Sequence, residues 1–169
     1  CRTLARELSI RGHEIIFVCR KTRGNLIKLL GKEFKVLELM IEEMSVEDQK
    51  FIQSMERCRF DNQKLVDFQL NDAQLTLKVL NEESISNPDW IIVDQYELDL
   101  IWEKFVKENL TKDITKIMVI DDLANRHHCA DLILDQNFVG FERLDRYDSL
   151  VGKNCVKCIG PFYALLGKE

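Results

Sequence analysis

Basic charge is in short supply in this sequence. Its 24 lysines and arginines stand against 29 aspartates and glutamates, a net charge of -5. General nucleic-acid binding draws on clustered Lys and Arg to neutralise phosphates, so no nucleic acid is expected as a partner beyond what a local basic patch could hold. Long apolar runs are missing too. None approaches the ~18 residues of a membrane span and no signal-peptide pattern opens the chain, so the expectation is a cytoplasmic protein with no membrane partner. A second cysteine pair is also lacking. Cys1, Cys19, Cys58, Cys129, Cys155 and Cys158 are scattered, and Cys155-Val-Lys-Cys158 is a lone C-x-x-C where a zinc ribbon needs two. His127, His128 and Cys129 lie in one loop with no matching ligand spacing. Thioredoxin-like chemistry would want the C-x-x-C at a helix start after a strand, whereas here it leads into the apolar run Val156 to Ile159. Reduced structural thiols, no metal and no cofactor are expected. An initiator Met is absent as well: Cys1-Arg-Thr-Leu-Ala reads as the inside of a helix, and the chain is expected to be a fragment.

What is present suffices for one ordinary domain. The 169 residues are 46% hydrophobic and 31% charged, and a chain of this length buries roughly 70% of its unfolded surface without a staple. Leu4, Leu8 and Arg11 at helical spacing, with Gly12 behind them, predict a helix over Thr3 to Arg11. Ile15 to Val18 reads as a buried strand ending at Cys19-Arg20. Lys21 to Asn25 forms a loop opening a short helix, Leu26 to Leu30, closed by Gly31, and Phe34 to Leu39 is a further strand. Arg20, Lys21 and Arg23 beside Gly24 could receive a phosphate or carboxylate, or be solvated surface charges. Met40 to Cys58 is polar and poorly periodic, a loop with some helix. Val66, Leu70, Ala73, Leu77 and Leu80 mark one apolar face of a long helix, broken by Ser84-Ile-Ser-Asn-Pro88. Trp90 to Asp94 is another buried strand, and Leu98 to Val106 resumes helical periodicity.

The stretch from Lys116 to Asn137 organises the rest, reading as strand, loop, strand. Ile117 to Ile120 is β-branched and without alternation, which suits a strand buried on both faces of a parallel sheet. The alternation of apolar strands with helices implies βαβ units and an α/β fold, since parallel neighbours need a crossover and the crossover is usually a helix. In such sheets the ligand crevice lies outside the carboxyl ends of the strands. Three strand ends, Asp94, Asp121-Asp122 and Asp135, then put carboxylates on one edge, with Gln95-Tyr96 and Gln136-Asn137 beside them. Close carboxylates can do acid-base work if their environments separate their pKa values; they can equally cap the following loops. Tyr96 could hydrogen-bond a substrate oxygen or pack with its hydroxyl in water. His127 and His128 could titrate near neutrality, although loop histidines beside Asp and Arg are more often surface hydrogen-bonding groups. Phe162 to Leu166, after the turn at Gly160-Pro161, is apolar enough to require a surface to pack on.

Several stretches together resemble a known family. They are Gly12-His-Glu-Ile-Ile-Phe-Val-Cys-Arg20, Gly24-Asn25, Asp72-Ala73, Val93-Asp-Gln-Tyr96, Ile120-Asp-Asp-Leu-Ala-Asn-Arg-His-His128, Asp131 with Asp135-Gln-Asn137, and Gly160-Pro-Phe-Tyr-Ala-Leu-Leu166. In this order they look like the PseG-type UDP-sugar hydrolases of pseudaminic acid biosynthesis, which cleave UDP-2,4-diacetamido-2,4,6-trideoxy-β-L-altropyranose. The SpsG-type proteins of spore-coat polysaccharide synthesis share the pattern. The resemblance implies a GT-B glycosyltransferase-like architecture of two Rossmann-like halves, similar to MurG. This chain would be the N-terminal half, residues 1–169. The first strand and the glycine loop with the catalytic His would lie before Cys1, and the C-terminal nucleotide-binding half after Glu169.

The implied activity is hydrolysis of the UDP-sugar with inversion at the anomeric carbon, with UDP and the free sugar as products. Tyr96 is the implied catalytic residue left in the chain. Asp94, Asp121 and Asp122 would border the sugar or hold its loops, Asn25 would join the substrate-binding set, and Gly160 and Tyr163 would lie at the interdomain cleft. Gln95 stands where the family often has His. The alternatives are a glycosyltransferase of the same fold and a non-catalytic nucleotide-sugar-binding module.

Overall fold

The computed structural model describes residues 1–22, 24–40, 63–110, 114–138, 140 and 144–167. The expectations placed on 41–58 and on Arg23 lie outside these residues. The chain divides into two compact units, Cys1–Glu43 with Leu165–Glu169, and Met44–Ala164.

In the first unit, helix α1 (Arg2–Ile10) ends as its sequence predicts. Gly12 adopts φ +89, and its N–H and that of His13 return to the Ser9 and Leu8 carbonyls at 3.0 and 3.1 Å. This is the Schellman closure that glycine permits without strain. Strand β1 (Ile16–Arg20) pairs in parallel with β2 (Lys35–Leu39) through the four-residue helix α2 (Ile27–Leu30). Arg2 and Arg6 both grip Glu33, Arg6 at 2.6 and 2.8 Å, so the turn before β2 is tied to α1. The Arg6 and Arg2 hydrogen bonds hold the Glu33 carboxyl down at about 2. The expectation of a buried strand at Ile15–Val18 needs correcting, because every residue of β1 is only half-buried. A two-stranded sheet has too few neighbours to enclose either strand.

The second unit carries a four-stranded, all-parallel sheet. Its strands are β3 (Trp90–Val93), β4 (Lys116–Ile120), β5 (Leu132–Asp135) and β6 (Val156–Ile159), side by side in that order. Successive strand residues face opposite sides, and the register places Val93 beside Val119 and Val119 beside Ile133. With Ile117 these fill one face, where Ile117 and Ile133 are fully buried and Val119 is 1% exposed. Helix α3 (Gln63–Glu82) brings Ala73 to this cluster, and α4 (Leu100–Asn109) brings Trp102 and Val106. Each fully buried aliphatic side chain contributes about 1.5–3 kcal/mol. The opposite face is less closed: Met118 and Ile120 are half-buried, and Trp90 is 44% exposed. The expectation that β3 and β4 are buried on both faces therefore holds for one face only.

Two helical expectations also shift. The face of α3 that is most buried is Leu65, Gln69, Asp72, Ala73, Thr76 and Leu80, one position round from the apolar stripe Val66, Leu70, Ala73, Leu77 and Leu80. The reason is polar pairing with α4. Gln69 accepts from the Asp99 N–H at 2.9 Å, and the Trp102 indole donates to Asp72 at 2.7 Å. Helix α4 begins at Leu100 rather than Leu98, because Asp99 caps it by accepting from the Ile101 N–H.

The link between β4 and β5 is the loop that the sequence predicts. These parallel neighbours are joined by residues 121–131 without a helix. This loop covers the sheet with side chains rarely seen in a core: Asp121, Asn125, Arg126 and His128 are all 3% exposed or less. The segment 144–150 between β5 and β6 is a run of turns and supplies Tyr147, which is fully buried in the same cluster.

Candidate functional site

Because all four strands of the second unit run in parallel, their carboxyl ends share one edge. That edge carries Asp94-Gln95-Tyr96, Asp121-Asp122, Asp135-Gln136-Asn137 and Gly160. Adjacent positions in this set have opposite fates.

Asp121 turns inward. It continues the parity of Ile117 and Val119, so its carboxylate enters the packed face, where it is 2% exposed. One oxygen pairs with the Arg126 guanidinium. The other accepts from the Ala124 N–H at 3.0 Å and the Tyr147 hydroxyl at 2.9 Å. Burial alone would raise its pKa, but the Arg126 charge and the Ala124 N–H outweigh burial and hold it below the usual carboxylate value. Arg126 is itself 2% exposed, and its Nε donates to the Leu98 carbonyl at 3.0 Å. Asp121 thus organises the loop, including Ala124 at a left-handed φ of 46.

Asp122 turns outward and is the meeting point of three strand ends. It is half-buried. The Tyr96 hydroxyl, from beyond β3, donates to one carboxylate oxygen at 2.8 Å. The Asn137 amide, from beyond β5, donates to the other at 3.1 Å. This hydrogen bond to Asp122 is the main reason the Tyr96 phenol is pushed up to about 12, with burial and the Asp121 and Asp94 charges adding to it. Tyr96 is therefore a protonated donor throughout the physiological range. Its ring lies 6.0 Å from the Arg126 guanidinium carbon.

Asp135 is buried behind Asp122 with its carboxylate facing the same side as Asp121. It accepts from the Asn137 N–H at 3.0 Å, from Arg146 at 3.1 Å and from Tyr147 at 3.4 Å. Burial dominates here and raises its pKa, the opposite direction to Asp121. Tyr147, between the two, is held well above the ordinary phenol value by burial and by both carboxylates.

Of the residues singled out from sequence, Tyr96, Asp121 and Asp122 come together in this unit. Asp94 follows β3, exposed, close enough for its charge to raise the Tyr96 pKa. Gly160 caps β6: its N–H donates to the Asp135 carbonyl at 2.7 Å, and its φ of 105 with ψ of 173 lies in a region open essentially to glycine. Tyr163 is 48% exposed in the short 3-10 turn Pro161–Tyr163. Phe162 is fully exposed and Leu166 is 82% exposed, so the expected packing surface for this apolar tail is not met among the described residues. Asn25 belongs to the first unit, where its side chain serves its own turn, donating to the Thr22 carbonyl and accepting from the Ile27 N–H at 3.1 Å.

His128 departs from the surface role expected of it. It is 3% exposed, and its Nδ1 lies 2.6 Å from Glu103 on α4, whose second oxygen accepts from the Cys129 N–H. His127, by contrast, is exposed. Glu103 had a legible signal, a charge three residues before Val106 on the buried stripe of α4. Arg146 and Tyr147 carried none.

Among the described residues no group of three His, Cys, Asp or Glu side chains is arranged to hold a metal ion. Their five cysteines are free thiols, and burial raises the pKa of Cys155 and Cys158, which disfavours thiolate chemistry at the C-x-x-C. No helix among them is long and apolar enough to cross a membrane. No protein-family model matches the chain, and no curated protein matches it.

Proposed function

We propose that this chain is the N-terminal, Rossmann-like half of a GT-B hydrolase. Its substrate is a UDP-linked 2,4-diacetamido-2,4,6-trideoxyhexose, cleaved to UDP and the free sugar with inversion at the anomeric carbon, in pseudaminic acid biosynthesis. The observation that carries the reading is the Tyr96–Asp122–Asn137 group, one hydroxyl, one carboxylate and one amide held together at adjacent carboxyl ends of a parallel sheet. These residue types suit a sugar with two acetamido groups and a free hydroxyl, which offers both donors and acceptors.

The reaction needs a base or a positioned polar group for the water and a charge partner for the leaving diphosphate. Tyr96, kept protonated by Asp122, serves as a donor that orients water or sugar and does not abstract the proton. By the family resemblance the base belongs to the family's glycine loop and the diphosphate contacts to its C-terminal half.

The test is UDP release from the UDP-linked diacetamido-trideoxyhexose by the full-length protein without an acceptor, comparing wild type with Tyr96→Phe. Acceptor-free release slowed in the variant supports the hydrolase. Release only with an acceptor would replace it by a glycosyltransferase of the same fold, and no release by a non-catalytic nucleotide-sugar-binding module.

A further inference from the structure

The hydrogen bonds behind Asp122 close into a ring. Arg146 Nη2 donates to the Asp122 carbonyl at 3.0 Å, and its Nη1 donates to the Asp135 carboxylate at 3.1 Å. The other Asp135 oxygen accepts from the Asn137 N–H at 3.0 Å, and the Asn137 amide donates to the Asp122 carboxylate at 3.1 Å. Two of its bonds end on Asp122 beyond β4, one from Arg146 and one from Asn137, and the other two end on Asp135 at the close of β5. Asp135 has a side chain with no exposure and also takes the longer 3.4 Å contact from Tyr147, whereas Asp122 is half-buried, with the Tyr96 hydroxyl as a further donor to its carboxylate. Arg146 is packed over the Tyr147 ring, 5.5 Å from its centre, with its side chain 20% exposed. A planar guanidinium can hold two acceptors at a set angle, which an ammonium cannot.

We propose that Arg146 is a positioning residue for the candidate site: it fixes the Asp122 peptide directly and the Asp122 carboxylate through Asp135 and Asn137, so that Asp122 presents an oxygen to the Tyr96 hydroxyl. Its catalytic meaning rests on the hydrolase reading; its geometry does not. Removing Arg146 weakens both routes at once: the Asp122 carbonyl loses this donor, and Asp135, losing its cationic partner, holds Asn137 less firmly. Asp122 then leaves Tyr96, whose phenol reverts toward the ordinary value while Asp94, Asp121 and Arg126 still surround it.

The experiment reads the Tyr96 phenol itself. The protein is labelled with 3-fluorotyrosine, which ionises at lower pH than tyrosine, and the Tyr96 fluorine resonance is assigned by its loss in Tyr96→Phe. Two variants are titrated: Arg146→Lys, which keeps the charge, and Arg146→Met with Asp135→Asn, which leaves no buried charge unpaired. The expected result is a Tyr96 titration displaced to lower pH by about one unit, tenfold in the ionisation constant, in the double variant, with a smaller displacement in Arg146→Lys.

An unchanged titration in both folded variants would overturn the proposal. Loss of the folded circular-dichroism spectrum in both would overturn it as well, by showing that Arg146 holds the fold instead of orienting Asp122. A displaced titration in a full-length protein that releases no UDP would leave Arg146 as the positioning residue and remove the hydrolase reading alone.

Discussion

Two crossovers in the same sheet solve the same problem in different ways. Between β3 and β4 the chain passes through α4, which satisfies its own backbone hydrogen bonds and lays Trp102 and Val106 on the sheet. Between β4 and β5 it passes through an irregular loop, which lacks the regular pairing of a helix and whose backbone groups cannot be left unpaired once buried. Side chains supply part of the pairing. Asp121 receives the Ala124 N–H and Glu103 the Cys129 N–H, while the Asp121, His128 and Asp131 N–H groups reach the carbonyls of Leu134, Leu150 and Ile117. The lesson is that the buried charges are the cost of building a crossover without a helix, and that Asp122, left outside this weld, is the one carboxylate of the pair that reaches solvent.

The sharpest way to break the contrast is to remove one charge from the loop. Arg126→Met leaves Asp121 buried and unpaired and should destabilise the fold by about 3–5 kcal/mol, read from urea midpoints. An apolar truncation in the helical crossover, Val106→Ala, should cost about 2 kcal/mol. If the helix truncation proves the costlier of the two, the loop is not held by its charges. Glu103→Gln keeps the shape but gives up the charge that meets His128 and Cys129, and should cost about 1–3 kcal/mol.

The two buried aspartates sharpen the comparison through pH. Asp121 is shifted down on folding, so the unfolded chain binds more protons across its window. Its contribution is present above the ordinary carboxylate value of about 4 and lost as the pH falls through its folded value. Asp135 is shifted up, so the folded chain binds more protons, and its contribution falls away as the pH rises through its folded value. Thermal midpoints against pH should therefore show a flatter acid limb in Asp121→Asn than in wild type. Asp135→Asn should remove a loss of stability just above the ordinary carboxylate range. Equal profiles for wild type and both variants would contradict these shifts. The smallest effect on stability is expected at the rim: Tyr96→Phe removes one exposed hydrogen bond and should change stability by about 0.5–1 kcal/mol, while the proposed activity suffers far more.

Much of this arrangement was legible in the chain itself. The apolar runs ending in Asp94, Asp121 and Asp135, the first two separated by helical periodicity, predict parallel strands with polar residues at their carboxyl ends, and the pairing of β3 to β6 agrees. Gly12 and Ser84-Ile-Ser-Asn-Pro88 mark helix ends because chain geometry at such ends is local; Ser84 adopts φ 60 where α3 closes. The buried stripe of α3 lies one position from the apolar stripe because Gln69 and Asp72 enter the core against partners thirty residues away.

Composition and order alone decided the α/β class, the strand ends and the polar edge, because these follow from local periodicity and from the need of parallel strands to run the same way. Only tertiary packing separated Asp121 from Asp122. In sequence the two are identical neighbours; in the folded chain alternation along β4 sends one toward Arg126 and Tyr147 and the other toward Tyr96 and Asn137. Burial and partner charges, which depend on residues distant in sequence, then gave the first a structural task and left the second half-buried at the edge of the sheet.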